Sequence, residues 1–265
     1  MSADFSIDKD KVRHSFSSAV SSYDGFASLQ RKVGLELLNK NDSFEKKNIL
    51  DVGCGTGFLA QEILLKALVQ QMITVDIALP MVQATKNKLK SEGAVQYICA
   101  DAEKLPFLDK TVDQIISNLA LQWCQNLTAV FKGFKRILKQ DGQILFSTFG
   151  PDTLQELKTS WAEVDNYTHV NNFYSVDHLT IFLERAEFKD IQIEVKYYQS
   201  NYRTVIELMR ELKGIGANNV LSGRNPNITS KAQMQKMVDA YEKQRKNDFI
   251  PATYEVIFVS ASIKK

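Results

Sequence analysis

Cysteine is scarce. Cys54, Cys99 and Cys124 stand apart in 265 residues, and no C-x-x-C pair occurs. That excludes a zinc ribbon and a disulfide framework as organising devices, so no metal site is expected. Three isolated thiols suit a reducing cytosol. Long apolar runs are missing too. Nothing approaches 18 residues, and the opening "MSADFSIDKDKVRHSF" has no apolar h-region, so neither a membrane span nor a secretion signal is expected. There are no internal repeats, low-complexity tracts or Pro/Gly/Ser linkers, and only 5 prolines. Charge of one sign is also lacking: 33 Lys and Arg face 31 Asp and Glu, a net +2 that does not call for nucleic acid. The expectation is a cytoplasmic monomer with neither a nucleic-acid nor a membrane partner.

What is present is a regular alternation. "NILDV", "MITVD", "VQYICAD", "VDQIISNLAL" and "GQILFSTF" read as five strands. Between them "FLAQEILLKAL", "PMVQATKNKLKSE" and "LTAVFKGFKRILK" read as helices, the last ended by Asp141-Gly142. β-Branched strands without polar alternation imply a parallel sheet covered on both faces. Two helices precede this core, a first short one capped by Asp8 and a second over Phe26 to Lys40. After Phe149, four helical stretches are interleaved with two final strands, "KDIQIEVKYYQ" and "TYEVIFVSASI". These extra helices have no place in the sheet, and a cap over its carboxyl edge, where open α/β folds bind ligands, would employ them.

"ILDVGCGTGFL" is the most informative stretch. Asp51 closes the first strand, then Gly53, Gly55 and Gly57 lead into a helix near Phe58. Without Cβ atoms, such a loop brings backbone amides close to a ligand. A dinucleotide loop needs a small residue where Phe58 stands, and Asp51 would repel its pyrophosphate. S-adenosylmethionine has no phosphate and carries an ammonium and a sulfonium. Asp76, at the end of the second strand, is placed to accept both ribose hydroxyls. Asp101 at the third is placed to accept from the adenine amino group, with Ala102 beside the ring. Asn118 and Leu119 extend the series at the fourth strand. The pattern resembles the class I S-adenosylmethionine-dependent methyltransferases over residues 45 to 150. It implies a Rossmann-like, mostly parallel seven-stranded sheet with an antiparallel C-terminal strand.

A closer resemblance lies outside the cofactor loop. "FSSAVSSYDGFASLQ", "SNLALQWC", "STFGPDTLQEL", "HVNNF" and "LMRELKGIGANNV" with "TYEVIF" are similar to the malonyl-acyl-carrier-protein O-methyltransferases of biotin synthesis, the BioC type. The likeness runs from Phe16 to Phe258, with "SGRNPNITS" more polar than the turn the family pattern leads one to expect. It implies methyl transfer from S-adenosylmethionine to the free carboxylate of a malonyl thioester on acyl-carrier protein. A carboxylate is already ionised at neutral pH, so no general base is required. Positioning and exclusion of water are what remain for the protein to supply.

The resemblance also divides the chain. Residues 1–44 become an N-terminal gate, 45–150 the cofactor core, and 151–187 with 201–249 the cap, all in one domain. It places Tyr23 near the sulfonium or the substrate carboxylate and Gln30 near the methionine part. Gln122 and Trp123 could line the same pocket. His169 of "HVNNF" is the histidine placed to donate a hydrogen bond to the malonyl group, whereas His14 and His178 sit in helical patterns. Choosing malonyl over acetyl calls for a cation: Arg210 first, with Arg203 and Arg224 as alternatives. Between 201 and 249 nine Lys and Arg face five acids, among them Lys213 and Lys231, a basic excess that would steer an acidic carrier protein. Gly214 to Asn219 read as the pliable tip of a lid. A methyltransferase for another small carboxylic acid, an assembly factor of the same fold and an RNA methyltransferase stay open as alternatives.

Overall fold

The computed structural model describes residues 7–41, 43–45, 47–90, 95–217, 219–220 and 229–263. Seven strands form one sheet: β1 (Asn48–Val52), β2 (Gln71–Asp76), β3 (Val95–Cys99), β4 (Val112–Asn118), β5 (Leu138–Phe149), β6 (Lys189–Tyr202) and β7 (Ile250–Ser262). Their order is β3-β2-β1-β4-β5-β7-β6. The first five strands run parallel, and β7 lies antiparallel between β5 and β6. The chain order reverses about β1, so the ends of β1 and β4 flank the crevice where such sheets take ligands.

Successive strand residues feed opposite layers. Ile49 packs into one core and Leu50 with Val52 into the other, as period-two geometry requires. One layer is closed by α5 (Leu127–Ile137) and α7 (Val176–Arg185), with Phe131, Phe134, Leu179 and Leu183 buried. Each such side chain contributes roughly 1.5–3 kcal/mol on leaving water. The other layer takes α2 (Ser28–Leu38) and α3 (Phe58–Lys66), then α6 (Gln155–Ala162), α8 (Val205–Gly214) and α9 (Lys231–Glu242). Val33 and Leu37 of α2 are fully buried there. Between β2 and β3 runs α4 (Leu79–Lys88), opened by Pro80. Among the described residues, no helix is long and apolar enough to cross a membrane.

Three boundaries differ from expectation. Phe26, read as the start of the second helix, instead ends the first, so that α2 begins at Ser28. The helix capped by Asp8 is not short: α1 spans Lys9–Phe26, with the Asp8 carboxylate accepting from the Lys11 amide. Its length is supported by packing on α4 and α8. Asp141-Gly142 does not end α5. That helix stops at Ile137, Leu138 already pairs with Val112, and the next pair is Gln114 with Gln143. The Asp-Gly pair therefore lies in a wide bulge of β5.

The stretch 208–220 is firmer than its composition suggests. Gly214 is buried as the last residue of α8, and its carbonyl accepts from the Ser22 hydroxyl of α1 at 2.8 Å. Beyond it the chain crosses α1, and the Val220 carbonyl accepts from the Asp8 amide. Asn219 donates to the Thr168 carbonyl, and Asn171 accepts from the Val220 amide. The glycines let the chain pass close to α1, and the asparagine strap ties it to the "HVNN" loop. Asn218 lies outside the described residues.

Candidate functional site

Three cavities share walls at the carboxyl edge of the sheet. The first is built from the ends of β1, β2 and β4 and the turn after β3, with Gly53, Asp76, Asp101, Ala102, Asn118 and Leu119 in its wall. Lys9, Phe16 and Tyr23 of α1 cover it. The second holds Gln30, Asp51, Gly53, Gly55 and Thr56, again under Tyr23. Tyr23, Gly53, Gly55 and Asn118 belong to both. The third, about 440 Å³, lies between the cap helices and includes Phe149, Trp161, His169, Phe173, Arg210 and Tyr254. Gln30 joins it to the second cavity and Trp123 to the first.

Gly53 shows why the loop needs glycine. Its φ is +74°, and a Cβ would lie 2.2 Å from that of Ala120. Gly57 does other work: it lies outside the first two cavities, precedes α3 with φ +84°, and passes beside Thr85.

Asp51 is 1 % exposed, and among the described residues neither carboxylate oxygen makes a well-formed hydrogen bond, the Ala60 amide exerting only a minor pull. Burial, then the charge of Asp76, pushes its carboxyl up to about 7. A buried acid kept without a partner is costly, and a cationic ligand would relieve it. The side-chain oxygen of Gln30, also buried and unpartnered, lines the same cavity. Asp76 differs: its oxygens accept from the amides of Gly55 at 3.0 Å and Ala78 at 2.9 Å. Burial raises it to about 6 against the pull of those amides. An ionised carboxylate has further lone pairs, so a diol can still be accepted.

Asp101 is already engaged. One oxygen accepts from the Glu103 amide and the other from Lys9 Nζ at 2.5 Å, and Lys9 also reaches Glu103 at 2.9 Å. Asn118 lines both of the first two cavities while its amide holds α2 in place. It donates to the Gln30 carbonyl at 2.9 Å and accepts from Ser147. Leu119 turns the chain at φ +47°, its amide donating to Ser147. Gln122 is spent on that turn, donating to the Leu119 carbonyl at 2.7 Å, and it lines none of the three cavities. Trp123 does, edge-on to Phe16. Tyr23 is held neutral, its phenol pushed up by burial and by the charges of Asp76 and Asp24.

A latch closes over the glycine loop. Asp24 accepts from the Thr56 hydroxyl at 2.5 Å and from Lys88 Nζ at 3.0 Å. Sequence reasoning misses it, because Asp24, Thr56 and Lys88 come from three separate elements.

In the third cavity, His169 and Arg210 come together, apart from Tyr23. Arg210 is exposed and forms no ion pair among the described residues. The i,i+3 neighbour Glu207 instead accepts from the Arg203 amide at 2.7 Å. Arg203 is not part of the cavity wall, Lys213 is, and Arg224 lies outside the described residues, as does most of "SGRNPNITS". His178 accepts or donates at the Ser175 hydroxyl at the start of α7, and His14 is exposed on α1.

A malonyl-[acyl-carrier protein] O-methyltransferase of Gallionella capsiferriformans is 36% identical over 263 residues, covering 96% of this chain and 91% of the relative. The chain belongs to the malonyl-[acyl-carrier protein] O-methyltransferase family. Within the family, the biotin biosynthesis bifunctional protein BioHC of Saccharophagus degradans is 38% identical, over 94% of this chain and 46% of that longer protein. Residues 50–146 match the family described as a methyltransferase domain. The fold is shared with Haemonchus contortus phosphoethanolamine N-methyltransferase 2, solved with S-adenosyl-L-methionine. That likeness has a TM-score of 0.60 at 16% identity and covers 94% of this chain and 57% of the neighbour. The donor set fits S-adenosylmethionine: the buried carboxylate of Asp51 for an ammonium and a carboxylate at the end of β2 for a diol.

Proposed function

We infer that this protein methylates the free carboxylate of a malonyl thioester on acyl-carrier protein, as the family name describes, using S-adenosylmethionine. The observation that carries the reading is full-length similarity to the family, joined to a buried Asp51 carboxyl and an adjoining cavity lined by Arg210, which forms no ion pair among the described residues. The resulting methyl ester removes the charge at the far end of the acyl group, and the family's place in biotin synthesis gives that change its use.

The cofactor supplies a methyl group already activated by its sulfonium. The protein's own residues bind and orient. In this reading Asp51 and Gln30 accept from the ammonium, Asp76 from the ribose hydroxyls, and Asp101 from the adenine amino group beside Ala102. Gly53 and Gly55 form the floor, and Asn118 and Leu119 the wall towards the substrate. Tyr23, a neutral phenol, covers the reacting centre and keeps water from it. Arg210 takes the malonyl carboxylate. The grip must stay loose, because a fully neutralised carboxylate is a poor nucleophile. Exposed Lys213 at the cavity and exposed Lys231 on α9 favour an acidic partner.

A test in cells uses a bacterium lacking its own enzyme for this step, grown without biotin. The chain should restore growth and Asp51→Ala should not. Failure of the soluble, cofactor-binding wild type to restore growth contradicts the reading.

A further inference from the structure

The segment "WAEVDNYTH" folds back on itself. After α6 ends at Ala162, the amides of Val164 and Asp165 donate to the Trp161 carbonyl. Asp165 then accepts from the Tyr167 amide at 2.9 Å, a tight Asx turn that reverses the chain. The return brings His169 face to face with Trp161, ring centroids 3.7 Å apart and planes 5° apart. Nε2 of His169 meets Asp165 Oδ1 at 2.8 Å. The stack fixes the ring plane and the carboxylate fixes its rotation. Burial works against the charge of Asp165, but the His169 ring and the Tyr167 amide hold it below the usual carboxylate range. An ionised carboxylate can only accept, so Nε2 carries the ring's proton. In the neutral ring the other nitrogen, Nδ1, is then an acceptor.

This polarity is the reverse of a donor to the malonyl group. A malonyl thioester presents only acceptors, its carboxylate and its carbonyl oxygen. His169 lines the substrate cavity, and among the described residues nothing hydrogen-bonds its Nδ1; an acceptor there is complemented by an N–H. The donor nearest to a thioester of carrier protein is the first amide of the pantetheine arm, two methylenes from the sulfur.

We propose that Asp165 is a positioning residue that holds His169 in the Nε2–H form, so that Nδ1 accepts from the first pantetheine amide and selects tethered malonyl over untethered carboxylates. The proposal rests on the function inferred above and adds the recognition of the arm. His169 becomes a specificity determinant and Arg210 alone takes the carboxylate. Trp161 is the platform that keeps the imidazole in plane.

Two malonyl thioesters separate the ideas: the N-acetylcysteamine thioester, which carries the amide, and the S-propyl thioester, which does not. At about pH 8, where an imidazole is generally neutral, the wild type should favour the first by roughly fivefold in kcat/KM, the worth of one neutral hydrogen bond. His169→Phe and Asp165→Ala should lose that preference and keep the cofactor Kd. Nitrogen NMR of His169 in the cofactor-free protein should show the Nε2–H tautomer, and Asp165→Asn should weaken it. Equal use of both thioesters by the wild type, or an Nδ1–H tautomer, overturns the proposal and leaves the methyltransferase reading intact. Methylation of neither thioester, nor of malonyl carrier protein, counts against the function itself, and the proposal falls with it.

Discussion

Gly214 and Phe26 touch with no room between them: a β-carbon on Gly214 would lie 2.2 Å from Phe26 Cδ2. The contact joins α8 to α1, and the Ser22–Gly214 hydrogen bond lies beside it. One helix bears Tyr23 over the cofactor cavities and the other bears Arg210 at the substrate cavity. The joint therefore connects two sites that lie in separate parts of the sequence.

Gly214→Ala should drive the Phe26 ring aside or force the two helices apart. Overpacking of this kind costs about 1–3 kcal/mol, so thermal unfolding should shift down by several degrees. Cofactor affinity should fall together with turnover, because α1 covers the cofactor cavities. A variant that loses turnover alone, with unchanged Tm and cofactor Kd, would restore the reading of this glycine as a simple hinge.

Asp51 gives a pH dependence of defined sign. Its folded value of about 7 lies above the ordinary carboxylate range, as does the value of about 6 for Asp76. Between pH ~4 and ~7 these two carboxyls thus hold more protons in the folded protein than in the unfolded chain. Their contribution to cofactor-free stability should fall as pH rises through that window. Asp51→Asn should raise the Tm near pH 8 and leave it nearly unchanged near pH 4. Cofactor affinity of the wild type should strengthen from about pH 6 to 8, as the carboxylate ionises to meet the ammonium. A gain in Tm for the variant that is equal at both ends of the range would contradict this.

Arg210→Gln should raise KM for the malonyl carrier by about 10–100-fold, the cost of a lost charge-assisted hydrogen bond. The cofactor Kd should not move, since Arg210 lines only the third cavity. Steady-state kinetics with calorimetric cofactor titration separates the two, and an unchanged KM removes Arg210 from the substrate site.

Asp24→Ala removes the acceptor shared by Thr56 and Lys88. The pair is partly exposed, so its effect on global stability should be small. Stopped-flow displacement of cofactor should show release several-fold faster. Unchanged release would mean that the latch does not hold the gate.

The core of the fold was legible because its signals are local. Asp51, the glycines, Asp76 and Asp101 fall at strand ends that apolar β-branched runs mark out. The seven-stranded sheet and the antiparallel β7 followed the resemblance. The joints were harder to read. Nothing near Gly214 in sequence announces Phe26, and Lys9 lies 92 residues from the Asp101 it meets. Trp161, Asp165 and His169 are spaced at i, i+4 and i+8, which suggests a helix face, yet the helix ends at Ala162 and an Asx turn makes the contact. Polar groups committed to backbone, such as Gln122 on Leu119, also look like free site residues until their partners are placed.

The central claim is carboxyl methylation of a carrier-bound malonyl group. Intact-mass spectrometry of malonyl-carrier protein, incubated with this protein and S-adenosylmethionine, tests it most directly, with acetyl-carrier protein and malonic acid alongside. The account predicts a gain of one methylene on the malonyl carrier alone. No gain on that carrier, with cofactor binding confirmed separately, would contradict it.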